Sequence, residues 1–568
     1  MLFLYRLVRL IDQLAAIGVR GRWKGVGQVS PGFAFSKSSE QRRLLTSAAE
    51  RRSALASPAL ECDVISPSLA AYMQDAAQNA RSSHPHSEGQ GNGLIPLRIL
   101  VPLIVACALF MENLDATVLS TALPAIARDL HQSPIQLKLA LTSYLLTLAV
   151  FIPASGWVAD RFGTRIVFRL AILIFAFGSA LCGFANTIGE LVAARAFQGI
   201  GGAMMVPVGR LVILRTIPRS EFVGALAWLT MPALLGPVLG PPVGGFITTY
   251  FHWRWIFWIN LPMAAFGMVL ATLYIPNVRG ETISRFDYLG FVLSGIGLAG
   301  LVSASAALDA AGVPLWVVVG LFLVGSASVG LYVFHARRAE SPILDLRLLR
   351  YPTFRSGIVG GSLFRIGVGA MPLLLPLQLQ LGFGMTPLNS GLLTFVAAIG
   401  AIGMKTAVGT ILKRFGFRTV LLFNAIVSGV LIAAPALFTA TTPISVMLAI
   451  LFVGGFFRSL EFTCINAISV AEVDQPEMSQ ATSFTSAFQQ IALSLGITVG
   501  ASMLQLSLAI RHSETLAARD FPPAFLVVGF IAAISYVSFA RLPKDAGEEV
   551  AGRKRVASAA VAVANGRS

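Results

Sequence analysis

From Leu97 onward the chain alternates between apolar runs of about 20 residues and short polar loops, and this leaves it few folds to adopt. Each run is long enough, as a helix, to cross the hydrocarbon core of a bilayer. Hydrocarbon offers no partner to a backbone N–H or C=O, so runs of this length are expected to span as helices. Fourteen runs are counted, near 98–119, 137–158, 166–185, 190–214, 222–247, 254–275, 288–308, 314–335, 354–381, 387–410, 417–438, 443–469, 481–508 and 522–540. The fifth and sixth nearly merge at Phe251–Arg254. A mean hydropathy of +0.74 with 12% charged residues argues against a soluble protein of this length, which needs more charge to cover its surface.

Loop charges test count and orientation together. Arg161, Arg165 and Arg169 follow the second run; Arg215 and Arg219 follow the fourth; Arg279 and Arg285 follow the sixth. Arg337, Arg338, Arg347, Arg350 and Arg355 follow the eighth, and Lys413, Arg414 and Arg418 follow the tenth. The loops after runs three, seven, nine and eleven carry no Lys or Arg. This positive-inside bias places both termini in the cytoplasm, across the inner (plasma) membrane. One even loop is acidic, at Glu472, Asp474 and Glu477, and acidic residues count little in this rule. The net charge of +16 therefore reads as loops facing anionic lipid. No basic stretch is interleaved with base-stacking aromatics, so no nucleic-acid partner is expected.

Residues 1–96 are polar, rich in Ser, Ala, Arg and Gln, and expected to be a largely disordered cytoplasmic tail. Met1–Val19 could form an amphipathic surface helix, but Arg6, Arg9 and Asp12 interrupt it too early for a signal peptide. A reading of comparable weight starts translation at Met73. Cys62, Cys107, Cys182 and Cys464 have spacings that suit neither a metal site nor a disulfide framework.

The chain also repeats itself. Gly156-Trp-Val-Ala-Asp-Arg-Phe-Gly-Thr-Arg165 aligns without gaps to Gly409-Thr-Ile-Leu-Lys-Arg-Phe-Gly-Phe-Arg418, with Asp160 replaced by Lys413. A loop duplicated after the second span of each half implies two related six-helix bundles with spans seven and eight inserted between them. The expected division is a tail over 1–96, an N-terminal bundle over 97–275 and an inserted pair with its loop over 276–352. A C-terminal bundle over 353–545 and a cytoplasmic tail over 546–568 complete it.

Five groups of residues carry chemistry. In the loop, Gly156 and Gly163 permit close approach and a tight turn, Asp160 sits where the start of the third span favours a carboxylate, and Arg161 and Arg165 can pair with it or with lipid phosphate. In the first span, Glu112 and Asp115 share a helix face; a carboxylate there costs roughly 2.5–3.5 kcal/mol on insertion scales. It is expected to face a water-filled cavity, pair with a cation or be protonated. Asp115 reads either as a group that loads and releases a proton or as a fixed ion-pair partner. Arg195, followed by Gln198, is its natural counter-charge if the spans adjoin, and otherwise an interfacial arginine. In the fifth span, Gly236, Gly240, Pro241, Gly244 and Gly245 form either a bend that gates or a close-packing face. In the second half, Arg365, Arg458 and Glu461 are intramembrane charges; Arg458 and Glu461, three apart, read as a neutralising pair or as cavity groups.

At these residues the chain resembles the major facilitator superfamily, most closely its fourteen-helix drug:proton antiporter branch. Gly156, Asp160, Arg161, Gly163 and Arg165 match its loop signature, with Thr164 where a basic residue is common. Leu114-Asp-Ala-Thr-Val118 with Ala122-Leu-Pro124 resembles the first-helix signature, with Ser120 where Asn is common. Arg195-x-x-Gln198-Gly199 matches the fourth helix, and Gly236-x-x-x-Gly240-Pro241-x-x-Gly244-Gly245 the antiporter signature of the fifth. Trp253-Arg-Trp-Ile-Phe-Trp-Ile-Asn-Leu-Pro262 is similar to the stretch this branch carries at its sixth helix. The resemblance covers residues 97 to 545. It implies an all-α transporter of two bundles rocking about a central cavity, exporting small amphipathic or drug-like molecules. The proton gradient would be the driving force in place of any cofactor, with Asp115 exchanging protons and Arg195 tuning it. A substrate-specific metabolite or organic-anion carrier is the alternative. A periplasmic adaptor and an outer-membrane channel are candidate partners should the cell be Gram-negative. No cluster of the six histidines with Cys or carboxylates suggests an enzyme.

Overall fold

The computed structural model describes residues 97–217, 221–280, 285–308, 313–474 and 477–551. The readings of the 1–96 tail, Met73, Cys62, Arg219 and the tail beyond 551 lie outside the described residues.

Among those residues fourteen long helices follow one another, and no strand occurs. They are α1 Leu97–Asp129, α2 Lys138–Phe162, α3 Thr164–Phe184, α4 Ile188–Thr216 and α5 Phe222–Tyr250. Next come α6 Trp255–Tyr274, interrupted at Ile259, then α7 Tyr288–Leu308 and α8 Leu315–Ala336. The second half holds α9 Pro352–Leu377, which ends in a wide turn at Gln378–Gly382, α10 Pro387–Phe415 and α11 Phe417–Ala433. It closes with α12 Ile444–Ile468, α13 Met478–Arg511 and α14 Phe521–Ala540. Helix α1 runs ten residues past the expected end at 119, because Pro124 is accommodated within it. The near-merger of spans five and six resolves at Phe251, whose extended backbone stops α5.

The surface is apolar. Leu170, Leu173, Phe177, Leu181 and Phe184 form an exposed stripe on α3, and Trp316, Phe322, Leu323 and Phe334 do so on α8. In water such faces would aggregate; in lipid they are the surface the solvent favours.

Two bundles share one plan. In the first, α1 packs on α5, α2 on α4 and α3 on α6; in the second, α9 packs on α13, α10 on α12 and α11 on α14. The bundles meet along α2 with α13 and α5 with α10. The inserted α7 and α8 pack mainly on each other, crossing where Gly300 faces Gly325, and α7 leans on α2 and α13.

The duplicated loop does the same backbone work twice. Gly163 between α2 and α3 has φ +96°, and Gly416 between α10 and α11 has φ +75°. An L side chain is strained there, so both turns need glycine. The segment leaving α6 docks on the first copy: Thr164 N donates to Val278 O (3.0 Å) and Gly280 N to Asp160 O (3.1 Å).

Candidate functional site

Three helices bring polar groups to one point inside the N-terminal bundle. Asp115 on α1, Arg195 and Gln198 on α4, and Asn260 on α6 are all at most 3% exposed. Arg195 Nη1 donates to Asp115 Oδ2 at 2.5 Å and to Gln198 Oε1 at 2.7 Å. The other carboxylate oxygen, Asp115 Oδ1, accepts from Asn260 Nδ2 at 2.8 Å and from Gln198 Nε2 at 3.1 Å. Asn260 Nδ2 also donates to Ser179 Oγ on α3 (3.0 Å), which in turn donates to Phe257 O. The guanidinium lies 4.3 Å over the Tyr144 ring of α2, and Arg195 Nε reaches Ala140 O at 3.4 Å. The expected pairing of Asp115 with Arg195 is therefore present, and a low-dielectric interior makes it strong.

This site depends on close helix approach. Gly178 on α3 and Gly201 on α4 lie against Gln198 and Phe175 backbone atoms respectively, where a Cβ would collide. Larger residues would push α3 and α4 apart and pull Gln198 off the carboxylate.

Glu112, one turn before Asp115, is 8% exposed, and its Oε2 is buried with no hydrogen-bond partner among the described residues. Tyr144 Oη is likewise unpartnered, as is Asn260 Oδ1. The α1 carboxylates therefore differ: Asp115 is fully bound and Glu112 is not.

The fifth-helix glycines are a packing face. Gly236 lies against Phe110 and Asn113, Gly240 against Thr117 and Gly244 against Val118 and Thr121, which seats α5 directly on α1. Gly245 faces the carbonyl of Pro387 on α10, and Pro241 O faces Gly391. Between the bundles at this end, Leu388 N donates to Thr249 Oγ1 (3.1 Å) and Gln380 Nε2 to Thr121 O (2.9 Å). Here the bundles are sealed together. At the opposite end Lys405, Thr406 and Gly409 of α10 are exposed, and neither Gly403, Gly409 nor Gly224 of α5 has a neighbour at Cβ distance. The close α5–α10 contact of the sealed end is not repeated at these glycines.

Three sequence readings are corrected. Asp160 pairs with Arg215 from the last turn of α4, at 2.5 Å, rather than with Arg161 or Arg165; Arg161 is exposed. Gly156 faces open space in this conformation and brings no helix closer. Arg458 and Glu461 do not pair. Arg458 Nε turns back toward Gly454 O (3.2 Å), whereas Glu461 points to α11 and accepts from Asn424 Nδ2 (2.8 Å). Arg365 is fully buried, and its Nη2 donates to Asn466 Oδ1 at 2.7 Å.

Reading the sequence did not assign Asn260, Ser179 or Tyr144 a role, and it counted Arg215 only as a loop charge. A lone Asn within the apolar run of α6 was the available signal for Asn260. Trp253 and Arg254 hold the far end of the bundle: Trp253 Nε1 (2.9 Å) and Arg254 Nη1 (2.6 Å) both donate to Asp129, at the end of α1. The acidic loop after α12 also finds its purpose. Glu477 pairs with Arg350, and Glu472 accepts from Thr353 (2.7 Å), so the acids fasten the start of α9. Nearby, Asp345 is buried against its charge, yet the hydrogen bonds from Arg347 outweigh this and hold its carboxyl below the usual range.

Two pseudo-symmetric six-helix bundles, an inserted helix pair and a buried charge network in the first helix define a membrane transporter. The chain belongs to the Major Facilitator Superfamily, whose family model matches residues 105–334 and 357–565. It is 37% identical over 461 residues to the "Putative multidrug resistance protein MdtD" of Salmonella paratyphi A, covering 80% of this chain and 97% of that protein. The protein of the same name in Salmonella typhi is equally similar, at 37% over 461 residues with the same coverage. Among solved structures, a D-xylose-proton symporter superposes with a TM-score of 0.57 at 15% identity, covering 79% of this chain and 98% of that one. A bacterial homolog of the human lysosomal transporter Spinster, inward-facing and unoccupied, gives 0.54 at 16% identity, covering 79% and 97%. At these identities the structures speak to the fold alone.

Proposed function

We propose that this chain is a proton-driven antiporter that exports small amphipathic, drug-like molecules across the cytoplasmic membrane by alternating access. Asp115 is its proton carrier. The observation that carries this reading is the buried carboxylate in α1, held at once by Arg195, Gln198 and Asn260. With the arginine-rich loops in the cytoplasm, the sealed end faces outward and the cavity opens inward, ready to load substrate. Protonating Asp115 removes the charge that balances Arg195, and unpairing one side of a buried ion pair costs about 3–5 kcal/mol. One pH unit supplies about 1.4 kcal/mol per proton and 100 mV about 2.3 kcal/mol. Together they reach the lower part of that cost, so one proton entering from outside is enough to bias the network toward its other arrangement. Helix α1 links this network to the α5 seam and to the outer contact at Thr121, which couples the proton to closure. The relatives named as multidrug resistance proteins support the substrate class. The test is accumulation of a cationic dye by everted vesicles, which reports export, with and without a proton uncoupler. Export that collapses with the uncoupler supports the reading, and export that persists undiminished overturns it.

The second reading, a substrate-specific organic-anion carrier of the same fold, draws on the unbalanced charge of Arg365 and concerns selectivity rather than drive.

A further inference from the structure

We propose that Arg365 is an anion receptor in the substrate site, which binds directly those transported molecules that carry an oxyanion, a carboxylate foremost. The proposal rests on the transport reading but on neither its proton drive nor its direction.

Arg365 sits midway along α9, the helix that mirrors α1 in the second bundle, and its side chain is 0% exposed. Offset by the spacing of the duplicated loops, it occupies the place that Glu112 holds in the first half. Of its donors, Nη2 reaches Asn466 Oδ1, while Nε and Nη1 are buried with no acceptor among the described residues. One turn earlier on the same helix, Ser362 Oγ is also buried and unpartnered. The guanidinium lies 5.2 Å from the Phe462 ring of α12, which offers a flat apolar wall.

A structural arginine in a membrane interior is expected to come with a counter-charge, because a buried unpaired cation costs several kcal/mol. The first bundle follows that rule with Arg195 and Asp115. In the second bundle it fails. The one carboxylate nearby in the spans, Glu461, is turned to Asn424 on α11 and makes no ion pair with Arg365. A buried carboxylate can escape its desolvation cost by taking a proton; a guanidinium cannot shed one. Balance for Arg365 therefore has to come from a bound molecule. Arg458, half-buried one turn before Phe462, and Lys405, exposed on the adjoining α10, are further positive charges of this bundle without an acidic partner among the described residues. Asn466 is exposed, so its amide oxygen stands where an incoming carboxylate would replace it. A carboxylate fits the planar donor fork of arginine, with Ser362 Oγ–H as a third donor. An amphipathic anion would then lay its apolar body against Phe462.

The test uses the full chain in proteoliposomes and measures counterflow exchange of carboxyfluorescein and of ethidium. Counterflow needs no gradient, so its result stands whether or not Asp115 proves to carry protons. Losing charge-assisted hydrogen bonds predicts that Arg365→Gln slows carboxyfluorescein exchange about tenfold or more, while ethidium exchange stays within about twofold. Arg365→Lys keeps the charge and should retain an intermediate rate with carboxyfluorescein. Unchanged carboxyfluorescein exchange in Arg365→Gln overturns the proposal. So does equal loss of both dyes in both variants, which marks a structural role. Wild-type exchange of ethidium alone, or of neither dye, also overturns it. A final arm compares phosphatidylcholine vesicles with and without phosphatidylglycerol; an Arg365 effect confined to the anionic lipid assigns the site to a headgroup and overturns the substrate reading.

Discussion

Replacing Gly244 with alanine tests how α5 is seated on α1. The added Cβ would stand 2.5 Å from the backbone carbonyl oxygen of Val118 and from Thr121 Oγ1. The side chain could rotate away, but the carbonyl belongs to the α1 ladder and cannot. Helix α5 would have to withdraw by about 1 Å, and overpacking of this kind costs typically 1–3 kcal/mol. Gly240→Ala differs, because its closest neighbour is the Thr117 side chain. Removing that hydroxyl with Thr117→Ala should relieve part of the Gly240→Ala defect, whereas Thr121→Ala should leave the Gly244→Ala defect in place. Gly224→Ala, with nothing at Cβ distance, serves as the control. The assay is the thermal unfolding midpoint of detergent-purified protein beside dye export in vesicles, read as a double-mutant cycle. Gly244→Ala as stable and active as the parent would refute the seam, and so would rescue by Thr121→Ala.

Three further outcomes are expected. Asp160→Asn should change stability by about 1 kcal/mol or less, since the Arg215 pair is partly exposed, yet lower export about fivefold by untying the end of α2 from the last turn of α4; exchanging the two charges should restore part of it. Gly163→Ala and Gly416→Ala should each destabilise the protein by roughly 1–2 kcal/mol through positive φ alone, measured by thermal unfolding, with Gly163→Ala worse because Asn277 also crowds it. Asn260→Leu leaves Asp115 Oδ1 with Gln198 as its remaining donor and should reduce gradient-driven export about tenfold while purified yield and oligomeric profile hold.

Much of this was legible because lipid leaves a chain so little freedom. Run length and loop charge placed the helices, and the echo of Gly156–Arg165 at Gly409–Arg418 revealed the duplication that the two bundles display. Asp115 and Arg195 could be matched as an acid and a base set within apolar spans of the same half, although Glu112 on α1 and Arg210 on α4 left other pairings open. What sequence could not supply was direction around a helix. Arg458 and Glu461 are three apart, yet one folds back on its own carbonyl and the other faces α11. Asp160 had two arginines within five residues and took a third from α4, 55 positions away. Asn260 went unassigned because its partners, Asp115 and Ser179, come from two other helices, an assembly that local spacing does not encode.

The central claim is that Asp115 carries the proton that drives export. The direct measurement is export driven by a pH gradient in vesicles holding the parent chain or Asp115→Asn, with gradient-free dye exchange followed in the same preparations. Asparagine keeps the shape and an acceptor for Arg195 but cannot ionise. The account predicts that gradient-driven accumulation is abolished while gradient-free exchange persists. Undiminished accumulation in Asp115→Asn would contradict it.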